Sequence, residues 1–134
     1  SMAERVGAGN NVHYVGLVPH REIPHLLSAG DIMVLPSWRE GHPNVILEAM
    51  ACSRPVIATD VGGIGETLVD GENGILIKKG DARGLKSAIK YLIANANRRE
   101  EMGAKGRETI ERRFTLEHNA GRILQIYDDV LQHG

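Results

Sequence analysis

An α/β architecture, a parallel sheet with helices on its flanks, follows from two features of the chain. Short apolar runs alternate with stretches of helical periodicity, the mark of strand-helix-strand units. The run Ile32-Met33-Val34-Leu35 is apolar without a break, as in strands covered on both faces. Residues 12–17 predict a first strand, and residues 22–29 a short helix with Gly30 where a C-terminal cap belongs. Asp31 opens the strand at 32–35. A helix is predicted over 43–52, because a proline with preset φ and no N–H suits a first helical position. The strand at 55–59, a short helix near 65–69 and a strand at 75–77 follow. Leu85, Ala88, Ile89, Leu92 and Ile93 recur at helical spacing and predict one amphipathic helix. Between Arg98 and Arg112, the charges Glu101, Lys105, Glu108 and Arg112 predict a solvated helix face supported by i,i+4 pairs. Leu116, Ala120, Ile123, Leu124, Tyr127, Val130 and Leu131 mark a final helix with one apolar stripe. Residues 97–134 thus read as a helical extension of the sheet.

Composition narrows the classes. With 134 residues, 42% hydrophobic, 25% charged and a net charge of −1, the chain is ordinary for a globular domain. Its charge favours neither nucleic acid nor an anionic membrane. The one cysteine, Cys52, has no intrachain partner, which predicts a reducing, cytoplasmic setting and a small buried side chain. No apolar run reaches the ~18 residues of a membrane span, and no signal peptide is expected. His20, His25, His42 and His118 lack metal-ligand spacing. His20 and His25 read as surface residues bracketing a helix. Asp128-Asp129 read as two solvated acids, so no metal site is expected.

The chemistry concentrates in Glu40-Gly41-His42-Pro43-Asn44-Val45-Ile46-Leu47-Glu48. With Pro43 first in the helix, the amides of Asn44, Val45 and Ile46 are donors without intrahelical acceptors. Together with the positive end of the helix dipole they suit a diphosphate. Glu48 lies about 7 to 8 Å further along the axis, and helical side chains lean back toward the N-terminus. A carboxylate there is repelled by phosphate and suits a pair of vicinal hydroxyls, such as those of a ribose. Glu40 precedes the helix and faces the sugar side of the same ligand. His42 sits at the diphosphate mouth beside Pro43. Taken singly, each glutamate is more often a solvated acid. A second cluster, Gly62-Gly63-Ile64-Gly65, suits a tight turn that lets amides approach a phosphate or hydroxyl. Alone it is most simply a turn, and Glu66 beside it a solvated acid.

The string from Pro36 to Ala51 resembles the donor-site signature of the retaining glycosyltransferases of family 4, the group 1 transferases with the two-domain GT-B fold. The resemblance continues through Pro55-Val56-Ile57-Ala58-Thr59-Asp60-Val61-Gly62-Gly63, Gly71-Glu72-Asn73-Gly74 and Arg113-Phe114-Thr115. It runs from about Asn11 to Leu131. It implies a partial Rossmann-like sheet, the second half of a C-terminal, nucleotide-sugar-binding domain, because 134 residues cannot hold two domains of usual size. The acceptor-binding domain and a basic Arg/Lys clamp are then expected elsewhere in the parent, and Ser1-Met2 reads as a cleavage scar. The resemblance implies donor contacts at Glu40, Gly41, His42, Pro43, Asn44, Val45, Glu48, Gly62 and Gly63. Glu40, the catalytic residue it implies, takes hydroxyls of the donor sugar and Glu48 the ribose, with no covalent nucleophile assigned and no metal or cofactor expected. Leu17 and Val18 are candidates for a nucleobase wall. The implied activity is sugar transfer with retention to a saccharide or lipid-linked acceptor, in envelope polysaccharide or glycolipid synthesis, by a cytoplasmic parent peripheral to the inner membrane face. A GT-B epimerase and a non-catalytic nucleotide-binding module are the alternatives. The terminal helix of such enzymes crosses to the other domain, so self-association through its apolar stripe is a further expectation.

Overall fold

The structure, a computed structural model, describes residues 9–36 and 44–114. The expected final helix, Ser1-Met2, His118 and Asp128-Asp129 lie outside the described residues. At the centre is a three-stranded parallel sheet in the order β1-β2-β3, formed by Met33–Leu35, Val56–Thr59 and Gly74–Ile77. Met33 stands opposite Val56 and Leu35 opposite Ala58. On the other side Val56 stands opposite Gly74 and Thr59 opposite Ile77. Helix α1 (Ile23–Ala29) precedes β1, and α2 (Asn44–Ala51) returns the chain from β1 to β2. A 3-10 turn, Ile64–Glu66, lies between β2 and β3, and α3 (Ala82–Ala94) and α4 (Ala96–Phe114) follow.

Side chains of a strand alternate between faces, and β2 uses both. Val56 and Ala58 join Ile46, Ala49, Met50, Ile64, Leu68 and Ile110 in one core cluster. Ile57 joins Ala88, Leu92 and Met102 in the other. Every residue of β2 is buried. Each large aliphatic side chain so covered contributes roughly 1.5 to 3 kcal/mol. The two-faced burial expected of the strand at 32–35 therefore belongs to β2. β1 is only half-buried along its length, because it is an edge strand of the described sheet.

α4 departs furthest from its reading as a solvated helix. Its outer face carries the expected pairs, Glu101 at 3.4 Å from both Arg98 and Lys105, and Arg112 with Glu108. Lys105 first, then Arg98, holds the Glu101 carboxyl below its ordinary range, so this support is present at neutral pH and lost as acid protonates Glu101. The inner face is buried: Met102 enters one core cluster and Ile110 the other. Glycines make this approach feasible. A Cβ on Gly103 would stand 2.1 Å from the Ser53 carbonyl oxygen, and one on Gly106 3.4 Å from Met50 Cγ.

What α4 packs against is the end of α2, which closes in a Schellman arrangement. Ser53 N–H donates to Met50 O at 3.0 Å and Arg54 N–H to Ala49 O at 2.9 Å, with Ser53 left-handed at φ 58°. Arg107 of α4 donates to Ala51 O at 2.8 Å, satisfying another carbonyl of the last turn. Asn73 ties the opposite flank. Its Oδ1 accepts from Val69 N at 2.8 Å, and its Nδ2 donates to Thr67 O at 3.2 Å and to Thr109 Oγ1 at 3.1 Å. The expected helix at 65–69 is for this reason only a 3-10 turn: Val69 N–H goes to the Asn73 side chain instead of a helical carbonyl. At α3, Asp81 caps the N-terminus by accepting from Gly84 N at 2.8 Å.

The strand expected at 12–17 is absent from the sheet. Tyr14 and Leu17 are 95% and 104% exposed, and the segment pairs with none of β1, β2 or β3. Its apolar residues suit a strand, but a strand exists only where an edge accepts its hydrogen bonds. The helix expected at 22–29 begins as a 3-10 turn, His20–Glu22, and becomes α-helical at Ile23. Gly30 does stand at the cap, with extended backbone and its N–H donating to Leu27 O.

Gly103→Ala is expected to lower stability by about 1 to 3 kcal/mol in urea titration, against the roughly 1 kcal/mol gain that Gly→Ala brings in an open helix. Gly106→Ala, whose neighbour is a flexible methionine, is expected to stay within about 1 kcal/mol of the parent.

Candidate functional site

In open parallel sheets the ligand crevice lies outside the carboxyl ends of the strands. Leu35 and Ala58, paired near those ends, bring two connections side by side. From β1 the chain passes Pro36 and residues 37–43 to enter α2 at Asn44. From β2 it passes Asp60 to the Gly62-Gly63 turn. Thr59 Oγ1 donates to Leu35 O at 3.5 Å, joining the two ends. A cavity of about 180 Å³ opens on this edge, lined by Pro36, Thr59, Ile77, Lys78, Asp81 and Leu85 among others.

Of the sequence-predicted contacts, Glu40, Gly41, His42 and Pro43 lie outside the described residues. Helix α2 begins at Asn44, directly after Pro43. Its first N–H groups lack intrahelical acceptors by construction of any α-helix, and they stand at the carboxyl edge of β1. Val45 is half-buried and Ile46 wholly buried, which seats this end of the helix on the core.

Glu48 stands about 6 Å along the axis from Asn44 and is 7% exposed. Ionised carboxylates are rarely so covered without compensation. Its Oε1 lies 3.6 Å from Nε2 of His20. His20 is exposed, as its sequence suggests, but its approach to Glu48 is not legible there. The only local hint is Pro19, which sets the entry to the turn. His25 is exposed as expected. Leu17 is fully exposed and Val18 half-buried just before that turn.

Gly62 has φ 56°, a conformation costly to residues with a Cβ. Gly63 then caps the 3-10 turn, with Glu66 N–H donating to Gly63 O at 3.1 Å. Gly62 and Gly63 thus form a tight turn at the same sheet edge as the start of α2. Glu66 is exposed, in line with its reading as a solvated acid.

Cys52, at the far end of α2, is 1% exposed. Burial pushes its thiol up to about 11, opposed by the Ser28 hydroxyl and Arg54. It is therefore a thiol at neutral pH and a packing residue, not a nucleophile. Among the described residues, no group of three or more His, Cys, Asp or Glu is arranged to hold a metal. None of the described helices is long and apolar enough to cross a membrane.

A family model described as Glycosyl transferases group 1 matches residues 1–109. The chain belongs to that family. It is similar to the capsular polysaccharide biosynthesis glycosyltransferase CapM of Staphylococcus aureus, at 40% identity over 102 residues, covering 76% of this chain and 27% of CapM. Its fold matches sucrose-phosphate synthase from Thermosynechococcus elongatus with a TM-score of 0.83 and 32% identity, over 99% of this chain and 33% of that one. It also matches Anabaena HepE in complex with UDP-glucose, with a TM-score of 0.78 and 27% identity, over 97% of this chain and 34% of HepE. The chain spans about a third of the length of the curated relatives it matches.

The raised thiol pKa carries a sign. A group whose folded pKa lies above its unfolded value stabilises the fold below the unfolded value, here 9.0, and loses that contribution as pH rises toward about 11. Stability of the parent chain is expected to fall across this window more steeply than that of Cys52→Ala, as read by denaturant titrations at each pH. Parallel pH profiles for the two proteins would contradict it.

Proposed function

We propose that residues 1–134 form part of the donor-binding domain of a retaining glycosyltransferase, which moves a sugar from a nucleoside-diphosphate donor to an acceptor hydroxyl. The observation that carries this reading is the start of α2 at the carboxyl edge of β1, with Glu48 buried one turn further on. Membership of the group 1 family supports it, as does similarity to HepE, solved with UDP-glucose. CapM, named for capsular polysaccharide biosynthesis, favours a role in envelope polysaccharide or glycolipid assembly on the cytoplasmic side, with the parent peripheral to the membrane. The acceptor, a saccharide or lipid-linked saccharide, belongs to a second domain across the cleft.

In this reading the diphosphate sits at the N-terminus of α2, against the amides of Asn44 and Val45, with Gly41, His42 and Pro43 forming its mouth. As the bond from the anomeric carbon to the leaving oxygen breaks, the electron pair passes to the diphosphate. Amides and dipole already aimed at that charge stabilise it without reorganising. The acceptor oxygen bonds to the anomeric carbon on the face the diphosphate leaves, and its proton passes to the departing diphosphate oxygen. Glu40 takes hydroxyls of the donor sugar, Glu48 the ribose diol, and the Gly62-Gly63 turn approaches the sugar from β2. Leu17 and Val18 border the nucleobase. No covalent nucleophile, metal or cofactor enters the scheme. The terminal apolar stripe offers a route to self-association, which sedimentation at rising concentration tests; a monomer throughout refutes it.

Titration calorimetry of the chain with nucleoside diphosphates is expected to give weak binding, and nanomolar affinity would contradict a partial site. Glu48→Ala is expected to weaken it about 10- to 100-fold, the loss of hydrogen bonds to a charged acceptor. In an intact enzyme, Glu40→Ala is expected to slow turnover far more than it weakens nucleoside diphosphate binding. Equal losses in the two measurements would refute the division of roles.

A further inference from the structure

The turn His20–Glu22 carries a side chain that the donor scheme leaves unused. The side chain of His20 is 81% exposed, yet its Nε2 stands 3.6 Å from Oε1 of Glu48, whose own side chain is only 10% exposed. At that separation the pair is an electrostatic or water-bridged contact, not a direct hydrogen bond.

The position of His20 is imposed from two sides. Pro19 enters the turn at φ −55° and ψ 140°, and Glu22 N–H closes it onto Pro19 O at 2.8 Å. The turn runs straight into α1, whose Pro24 is buried. At the other end of α1, the carbonyls of Leu27 and Ser28 accept from Arg54 at 3.1 and 2.7 Å. Arg54 is part of the closing motif of α2. α1 and α2 are thereby clamped together, and the imidazole meets the carboxylate from a backbone tied to the same helix.

A glutamate that accepts two vicinal hydroxyls must turn both oxygens toward them, and a carboxylate already held in that orientation loses less rotational freedom when the diol binds. We infer that His20 is a positioning residue for ribose recognition, its imidazole restraining Oε1 of Glu48 so that the carboxylate is already turned when the diol arrives. The inference rests on the proposed role of Glu48. His20 makes no contact with the reacting atoms, and its effect passes entirely through Glu48.

The test is discrimination between nucleotides that differ only in the diol. The chain is titrated by NMR with UDP and 2′,3′-dideoxy-UDP, and with the corresponding GDP pair, as parent, His20→Ala, His20→Gln and Glu48→Ala. The parent prefers the ribonucleotide of the pair it binds, and Glu48→Ala abolishes the preference. His20→Ala reduces the preference about 3- to 10-fold while leaving the dideoxy affinity within about twofold. His20→Gln, which keeps a side-chain donor, restores it. Unchanged discrimination in His20→Ala, equal loss for both members of a pair, or no recovery in His20→Gln overturns the inference while leaving Glu48 in its role. Absence of a preference in the parent, or its survival in Glu48→Ala, overturns the role of Glu48 and this inference with it.

Discussion

Parallel pairing of β1 with β2 is the constraint from which the site follows. Two parallel neighbours cannot be joined by a hairpin, so the chain leaving β1 must travel back across the sheet before β2 begins. That return is α2. Its start therefore stands at the carboxyl edge of β1, with first-turn amides at the sheet edge where the Gly62-Gly63 turn also emerges. The position of the proposed anion site follows from topology, and its selectivity is left to individual side chains.

α2 is firmly held at its C-terminal end. At the C-terminal end the carbonyls are taken up by Ser53 and Arg54 amides and by Arg107 from α4. Ala49, Met50 and Ala51 are wholly buried there. In the proposed complex the first-turn amides at the other end meet the diphosphate. Glu48 lies between these regimes, on the helix yet nearly covered. His20 approaches its carboxylate at 3.6 Å, and a ligand diol adds hydrogen bonds to it in the proposed complex.

α4 shows how backbone proximity organises the rest. Helix packing distances are set by the side chains at the contact, and glycine at 103 removes the one that would collide with the Ser53 carbonyl. The helix then reaches both core clusters, through Met102 and Ile110, and delivers Arg107 to the end of α2. Asn73, with bonds to Val69, Thr67 and Thr109, locks the β2 to β3 connection onto the same helix. The family-like segment Gly71-Glu72-Asn73-Gly74 acts here as a structural joint.

Periodicity and turn chemistry are local, and what depends on them is legible in the residues alone. The alternation of apolar runs and helices locates β1, β2 and β3 and the helices among them. Pro43 places the start of α2 to within a residue, while the pairing of Glu40 with Glu48 rests on spacing alone, since Glu40 lies outside the described residues. Residues 12–17 look like a strand for the same local reason and are not one, because pairing needs an edge that no local pattern supplies. The buried face of α4 stayed hidden because glycine carries no hydrophobic signal, although Gly103 lets the helix close on the Ser53 carbonyl. The nearness of His20 to Glu48 was equally invisible, since 28 positions of chain separate them and only the clamp of α1 on α2 brings them together. Contacts of that kind arise from packing between distant segments, and they exist nowhere until the chain has folded.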